Sequence, residues 1–358
     1  MTACHPPARP VCSRPLEFKP DMPEAARRWE AFYAGDLLDR PLVCVTAPRP
    51  DAEPVPRTTY HDRVFGDLAE VVDRDVRRAA GTYYGGEAYP VAWVSFGPDE
   101  VGVFCGAEFG WSEDSGDTNW SVPCVTDWAA ALPLELQTGS PLYQRLLAFY
   151  RAFADAAEGK MLLTMPDLHT NLDLLSAIRG PQALCLDLID VPELIDQAMA
   201  DARAVFPRLW DDIWEAGRLS EVGCAPAISL QCDFSCMMSP AMFRRWVLPA
   251  LEEEAAIIGN AVYHWDGPGA VVHLADLVAS PGLHRLDYVP GDGHGRHIDH
   301  LDLMKACQAG GKAVGVWGSI EECKAMHREL RPELTCYLTG AATPDEAEAV
   351  LEWFVKNT

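Results

Sequence analysis

Gln231–Gly295 reads QCDFSCMMSPAMFRRWVLPALEEEAAIIGNAVYHWDGPGAVVHLADLVASPGLHRLDYVPGDGHG. Two short apolar runs within it end in groups able to do chemistry. Cys232-Asp233 closes the first, His264-Trp265-Asp266-Gly267 the second, and a helical stretch separates them. Reactive side chains at the same phase of successive strand–helix units mark α/β barrels, whose βα loops build the active site. The segment therefore predicts an α/β chain, a (β/α)8 TIM barrel, and an enzyme.

The same rhythm extends in both directions. Upstream, Pro141–Ala157 predicts a helix, and Lys160–Met165 a strand that runs into Pro166-Asp167-Leu168-His169. Helices at Asn171–Arg179 and Val191–Glu215 precede a strand at Ala227–Gln231, a helix at Pro240–Gly259 and a strand at Ala261–His264. Downstream come helix Ala270–Ala279, strand Arg285–Val289, helix His300–Gly310 and strand Ala313–Trp317. Helix Ile320–His327, strand Thr335–Leu338 and helix Pro344–Val355 complete the series. Strands alternating with helices of this length predict a parallel sheet. With a buried strand in Arg40–Thr46, after a helix at Pro23–Gly35 and before a charged amphipathic helix over 60–80, about seven or eight strands are available to close a barrel. Gly81–Cys124 reads as loops and short strands elaborating one end.

The chain has 358 residues and 49% apolar content, enough for one large core. No linker composition interrupts it after about residue 60, so 23–358 reads as a single domain behind a Pro-rich arm, 1–22, that is flexible or hugs the surface. A net charge of −24 argues against nucleic acid and anionic membrane as partners. The twelve cysteines show no CxxC spacing and mostly sit in apolar runs, which suits reduced thiols in the cytoplasm. The N-terminus lacks the apolar stretch of a signal peptide, and no run reaches the length of a membrane span.

Asp233 followed by SPAMFRRWVLPALEEEA resembles the SP-x-x-F-x-x-x-x-x-P segment of the uroporphyrinogen decarboxylase superfamily, which also holds the methylcobalamin:coenzyme M methyltransferases and, more distantly, cobalamin-independent methionine synthase. RWEAFYAGDLLDRPLVCVTAPR, FGPDEVGVFCGAEF and MPDLHTNLDLLSAIRG resemble a decarboxylase-like branch of it. The resemblance covers the chain from about residue 25 onward and implies the barrel, with methyl transfer or decarboxylation as its chemistry. Two departures accompany it. The Arg-rich N-terminal motif and late Gly-His-Gly turn of the decarboxylases are absent. Where the methyltransferases hold zinc through His-x-Cys and a later Cys, this chain has His264-x-Asp266 and, late, a residue near Ala341.

His264 and Asp266 stand two apart, so in an extended strand they share a face and could meet one metal or one substrate. Zinc in a catalytic site takes three protein ligands and keeps an open position; Cys232, Cys336, Asp292 or His294 are the candidates for the third. The alternative is structural, with His264 hydrogen-bonding across the barrel mouth and Asp266 capping the turn into Gly267-Pro268-Gly269. Asp233 at a strand end suits a general acid or base, and Cys232, next to it, should face the opposite way. Asp167 and His169 share the phase of His264 and Asp266, and with Asp173 and Arg179 form a second polar cluster, although Arg179 also fits a helix C-terminus. Asp292 and His294 lie in a glycine-rich loop that permits close approach to a ligand. Trp317, Trp265, Trp93, Trp111 and Trp120 either line the mouth or pack the core and rim.

The catalytic candidates are thus Asp233, His264, Asp266 and Asp167. The substrate-binding candidates are His169, Arg179, Asp292, His294 and Trp317, and the metal candidates are His264, Asp266 and Cys232. The leading expectation is a methyltransferase-like enzyme, with possible zinc and a methylated corrinoid, or a corrinoid protein, as donor. A cofactor-free decarboxylase of a small or tetrapyrrole acid and a non-catalytic ligand- or corrinoid-protein-binding protein are the alternatives. The aromatic N-terminal third offers a face for a homodimer.

Overall fold

A computed structural model describes residues 9–112 and 118–358. Its strands in chain order are β1 (Leu42–Pro48), β2 (Thr82–Gly86), β3 (Val91–Ala92), β4 (Glu108–Gly110), β5 (Trp120–Val122), β6 (Leu162–Leu163), β7 (Ile228–Gln231), β8 (Ala261–Asp266), β9 (Leu283–Val289), β10 (Ala313–Trp317) and β11 (Thr335–Gly340). Seven of them form one sheet in the order β2-β1-β11-β10-β9-β8-β7, parallel except for β1 with β2. A second parallel pair, β3 with β6, reaches towards β7 through a bridge from Leu163 to Cys224, four residues before β7 begins. The chain is therefore α/β around a mostly parallel sheet. Fully buried strand side chains such as Val43, Val45, Tyr263 and Trp265 belong to the main hydrophobic core.

Most predicted elements appear at or near their expected bounds, and the main differences have local reasons. The expected helix over 60–80 is two, Tyr60–Phe65 and Leu68–Ala80, because Gly66 ends one turn and Asp67 caps the next through Glu70 N at 3.0 Å. The helix over 240–259 starts at the Ser239 cap but carries a π-helical turn at Phe243–Val247, just before Pro249, which has no N–H to continue the ladder. A helix at Pro181–Asp190, opened by Pro181 after Gly180, went unread in the sequence.

The first residues of the expected arm, 1–8, lie outside the described residues. From Arg9 onward the segment hugs the molecule. Arg9 and Asn260 exchange two hydrogen bonds at 2.9 and 2.8 Å, and Arg9 Nη2 donates to Ala225 O at 2.6 Å. Val11 and Leu16 join Met22, Trp29, Leu42, Ala313 and Cys336 in a second core at the strands' N-terminal end. That end is sealed. The opposite, C-terminal end carries the polar groups.

Candidate functional site

Parallel pairing decides which side chains meet. Gln231 lies beside His264 on β8, and His264 beside Asp287 on β9. Residues in register on neighbouring strands point to one face, and the next residue along each strand points to the other. Gln231 and His264 thus share a face, while Cys232 is buried in the main hydrophobic core, 2% exposed. Burial first, and then the Asp173 charge, push the Cys232 thiol well above its usual range. The thiol hydrogen-bonds the Asp173 side chain, so Cys232 meets the site through Asp173, and it does not converge with His264 and Asp266 as the expected third metal ligand.

The loop leaving β6 supplies the centre of the site. His169 is buried, with Nε2 at 3.5 Å from Asp167 Oδ1 and Nδ1 at 3.3 Å from Asp173 Oδ2. Burial alone would discharge the imidazole, but the two carboxylates outweigh it and hold its pKa well above the ordinary value. Burial likewise opposes ionisation of Asp167, yet the His169 contact and the Gln231 amide, which donates to Oδ1, keep its pKa low. Asp173 carries a further load. Its two oxygens accept Asp233 N at 2.9 Å and Phe234 N at 2.8 Å, which ties this loop to the end of β7.

Asp233 is the cluster carboxyl whose surroundings most favour its protonated form. Burial, and next the charge of Asp173, lift its pKa to about 7, with Asp266 and Asp167 adding to the rise and His169 opposing it. Its Oδ1 is buried without a hydrogen-bond partner. A carboxyl that titrates near neutrality with an unpartnered oxygen is suited to exchanging a proton with a bound molecule. His264 and Asp266 complete the set at the end of β8: the charge of His264 acts on Asp167 and that of Asp266 on Asp233. The cluster that forms is Asp167, His169, Asp173, Asp233, His264 and Asp266.

Other candidates go elsewhere. Arg179 does not enter this cluster. Its guanidinium clamps Asp187 at 2.6 and 3.2 Å and the carbonyls of Val125 and Thr126 at 3.1 and 2.8 Å, a brace from the end of its own helix to the next helix and to a neighbouring loop. Asp292 and His294 are exposed on their loop, where His294 O lies 2.8 Å from His300 Nε2. Trp317, at the end of β10, is 37% exposed and packs on His297 with ring centroids 5.1 Å apart. Trp265 is fully buried, with its indole bonded to Ala270 O at 2.8 Å, so it does not line the mouth. Asp266 does not cap the turn that follows, where Gly267 is the N-cap.

Two participants escaped the sequence reading. Gln231 alternates with Cys232 and could have been found by strand phase, since it holds the position on β7 that His264 holds on β8. Asp99 sits at the start of the helix Glu100–Phe104, far upstream, and feels the charges of His169, Asp173 and Asp167; burial raises its pKa. Nothing in its local sequence announces that neighbourhood.

The donor set can be tested against zinc. Among the described residues no three His, Cys, Asp or Glu side chains converge closely enough to hold a metal ion. His264 and Asp266 alone do not make the three-ligand site that catalytic zinc uses.

The fold and this site define an α/β scaffold with an acid–base cluster at the C-terminal end of its parallel strands. Among solved structures, a methyltransferase from Methanosarcina mazei shares that fold, with a TM-score of 0.61 and 15% sequence identity over 92% of this chain and 97% of the other. No protein-family model matches the chain, and no curated protein matches its sequence. No helix among the described residues is long and apolar enough to cross a membrane.

Proposed function

We propose that this protein is a methyltransferase-like enzyme of the uroporphyrinogen decarboxylase superfamily, in which Asp233 accepts the proton released when a neutral acceptor, a thiol or an amine, is methylated. The observation that carries this reading is the set of carboxyls around Asp233, whose Oδ1 is buried without a hydrogen-bond partner. Asp167, Asp173 and Asp266 act on Asp233, whose pKa of about 7 leaves it able to take up a proton at neutral pH. Methylation of a neutral acceptor builds positive charge on the attacking atom, and these carboxyls stabilise it. Loss of CO2 that leaves a carbanion builds negative charge, which the same carboxyls would oppose.

In the step, the acceptor X–H lies with its proton towards Asp233. The X–C bond forms, the bond from carbon to the donor breaks with its electron pair left on the donor, and the proton passes to Asp233 and then to water. The donor, by chemical class, is a methylated corrinoid, free or carried on a protein. His169, held between Asp167 and Asp173, keeps those carboxylates in place. Trp317 offers a part-exposed flat face at the mouth. Zinc recruited here would find two side chains, His264 and Asp266, and would take its remaining ligands from the substrate; the proton steps belong to the side chains. We further propose that β3 and β6 close the sheet into a barrel, and that the protein works in a reducing compartment, the cytoplasm, as suits the eleven free thiols among the described residues.

The test incubates the protein with methylcobalamin and a panel of small thiols and amines, following loss of the cobalt–carbon absorbance and a methyl mass gain on the acceptor. Transfer that falls at least about a hundredfold in Asp233→Asn, the scale of a lost general base, supports the reading. Transfer that survives this substitution, or CO2 release from a carboxylic acid without methyl transfer, overturns it.

A further inference from the structure

Thr170-Asn171-Leu172-Asp173 opens the helix Asn171–Arg179 with the spacing of a capping box, in which Thr170 would accept from Asp173 N and Asp173 would reach back to Thr170 N. That box does not form. Thr170 is the N-cap residue, yet its side chain caps nothing; its hydroxyl donates instead to Glu254 Oε1 at 2.7 Å. Glu254 comes from the helix Leu248–Ile258 and is 2% exposed. Its other oxygen is buried without a hydrogen-bond partner. Asn171 replaces the missing cap: at φ 53° its Oδ1 accepts Leu172 N at 2.7 Å and its Nδ2 donates to Gln231 O at 3.0 Å. Asp173, freed from the helix start, faces His169 and the amides of Asp233 and Phe234.

We infer that Glu254 is a positioning residue: by accepting the Thr170 O–H it turns that side chain away from the Asp173 amide, so the capping box does not form and Asp173 is left to hold His169 and the end of β7. The competing arrangement is local and intrinsically favourable, so a buried acceptor is needed to divert Thr170. Glu254 is fitted to stay in place as an uncharged acid, because burial, opposed by Thr170 and Asn171, lifts its pKa to about 8, with Asp173 and Glu253 the charges that add to the rise. Removing the acceptor returns the hydroxyl to the helix. Asp173 then turns towards Thr170 N, and His169 keeps one anion in place of two.

This inference concerns the arrangement of the site and uses no substrate, so its outcome is separate from that of the methyl-transfer assay. The experiment is 15N NMR of histidine-labelled full-length protein, with the His169 signals assigned by His169→Gln, titrated in wild type, Glu254→Gln, Glu254→Met and Glu254→Ala. Gln keeps a carbonyl acceptor, and Met keeps the volume if the Ala variant does not fold. The expected result is a wild-type midpoint for His169 in Glu254→Gln and a fall of about one pH unit or more in Glu254→Met, the size that follows loss of a paired carboxylate. An unchanged midpoint in Glu254→Met, or equal falls in the Met and Gln variants, overturns the inference.

Discussion

Glu100→Gln should make the protein less sensitive to rising pH. Glu100 opens the helix Glu100–Phe104, is 0% exposed, and accepts Phe96 N at 2.8 Å through Oε2, while Oε1 has no partner. Burial lifts its pKa from 4.5 to about 8, with the Asp167 charge also raising it and the Phe96 amide opposing. The folded state therefore keeps a proton that the unfolded chain gives up above pH 4.5. Stability is full below that pH, falls as pH rises, and levels off once Glu100 ionises in the folded state near pH 8. At about 1.4 kcal/mol per pH unit, the loss between about pH 5 and pH 7.5 is about 3 kcal/mol from this group. A glutamine holds no titrating proton and its carbonyl still accepts Phe96 N. Urea unfolding at several pH values over that range should show the wild type falling more steeply than the variant, with a gap that widens by about 3 kcal/mol. Glu254, with a pKa of about 8, adds a slope of the same sign to both proteins and cancels in the comparison. Parallel pH dependences in the two proteins would refute the reasoning, because Glu100 would then be ionised when folded.

Three further outcomes are expected. In the methyl-transfer assay the wild-type rate should rise as pH passes through about 7, where Asp233 becomes a base; a rate that falls through the same range would mean that Asp233 works as an acid and would overturn its role as proton acceptor. Arg179→Gln should lower stability by about 1–2 kcal/mol by removing the Asp187 clamp, leaving acceptor KM unchanged; a KM raised tenfold in a stably folded variant would return Arg179 to the site. Dialysis against a chelator should leave turnover intact, whereas stoichiometric zinc that disappears in His264→Ala, together with activity, would replace side-chain proton transfer by metal-assisted chemistry.

The sheet was legible because each strand is a compact apolar run ended by Pro, Gly or a polar pair, as at Ala313–Trp317, where the structure agrees residue for residue. The short β6 was harder: Lys160–Met165 reads as a full strand, but Leu162 and Leu163 alone pair as one. At the site, Asp167, His169, Asp233, His264 and Asp266 could be read because strand ends converge whatever the loops do. Arg179 could not, since an arginine at a helix C-terminus looks the same whether it faces a ligand or, as here, a neighbouring aspartate. Asp99 and Glu254 were hidden for a different reason. Their roles depend on packing between elements far apart in the chain, and no local spacing encodes that.

The pairing of β1 with β11 has a consequence for the protein's birth on the ribosome. Leu42 is paired with Cys336, so the first strand to emerge waits for a partner synthesised about 300 residues later. At about 5–20 residues per second this wait is on the order of 15–60 s. Until then β1 can pair only with β2, and Arg9 waits similarly for Ala225 and Asn260. The nascent chain thus carries one open strand edge for nearly its whole synthesis, a surface that other chains or a chaperone can reach before the sheet is complete.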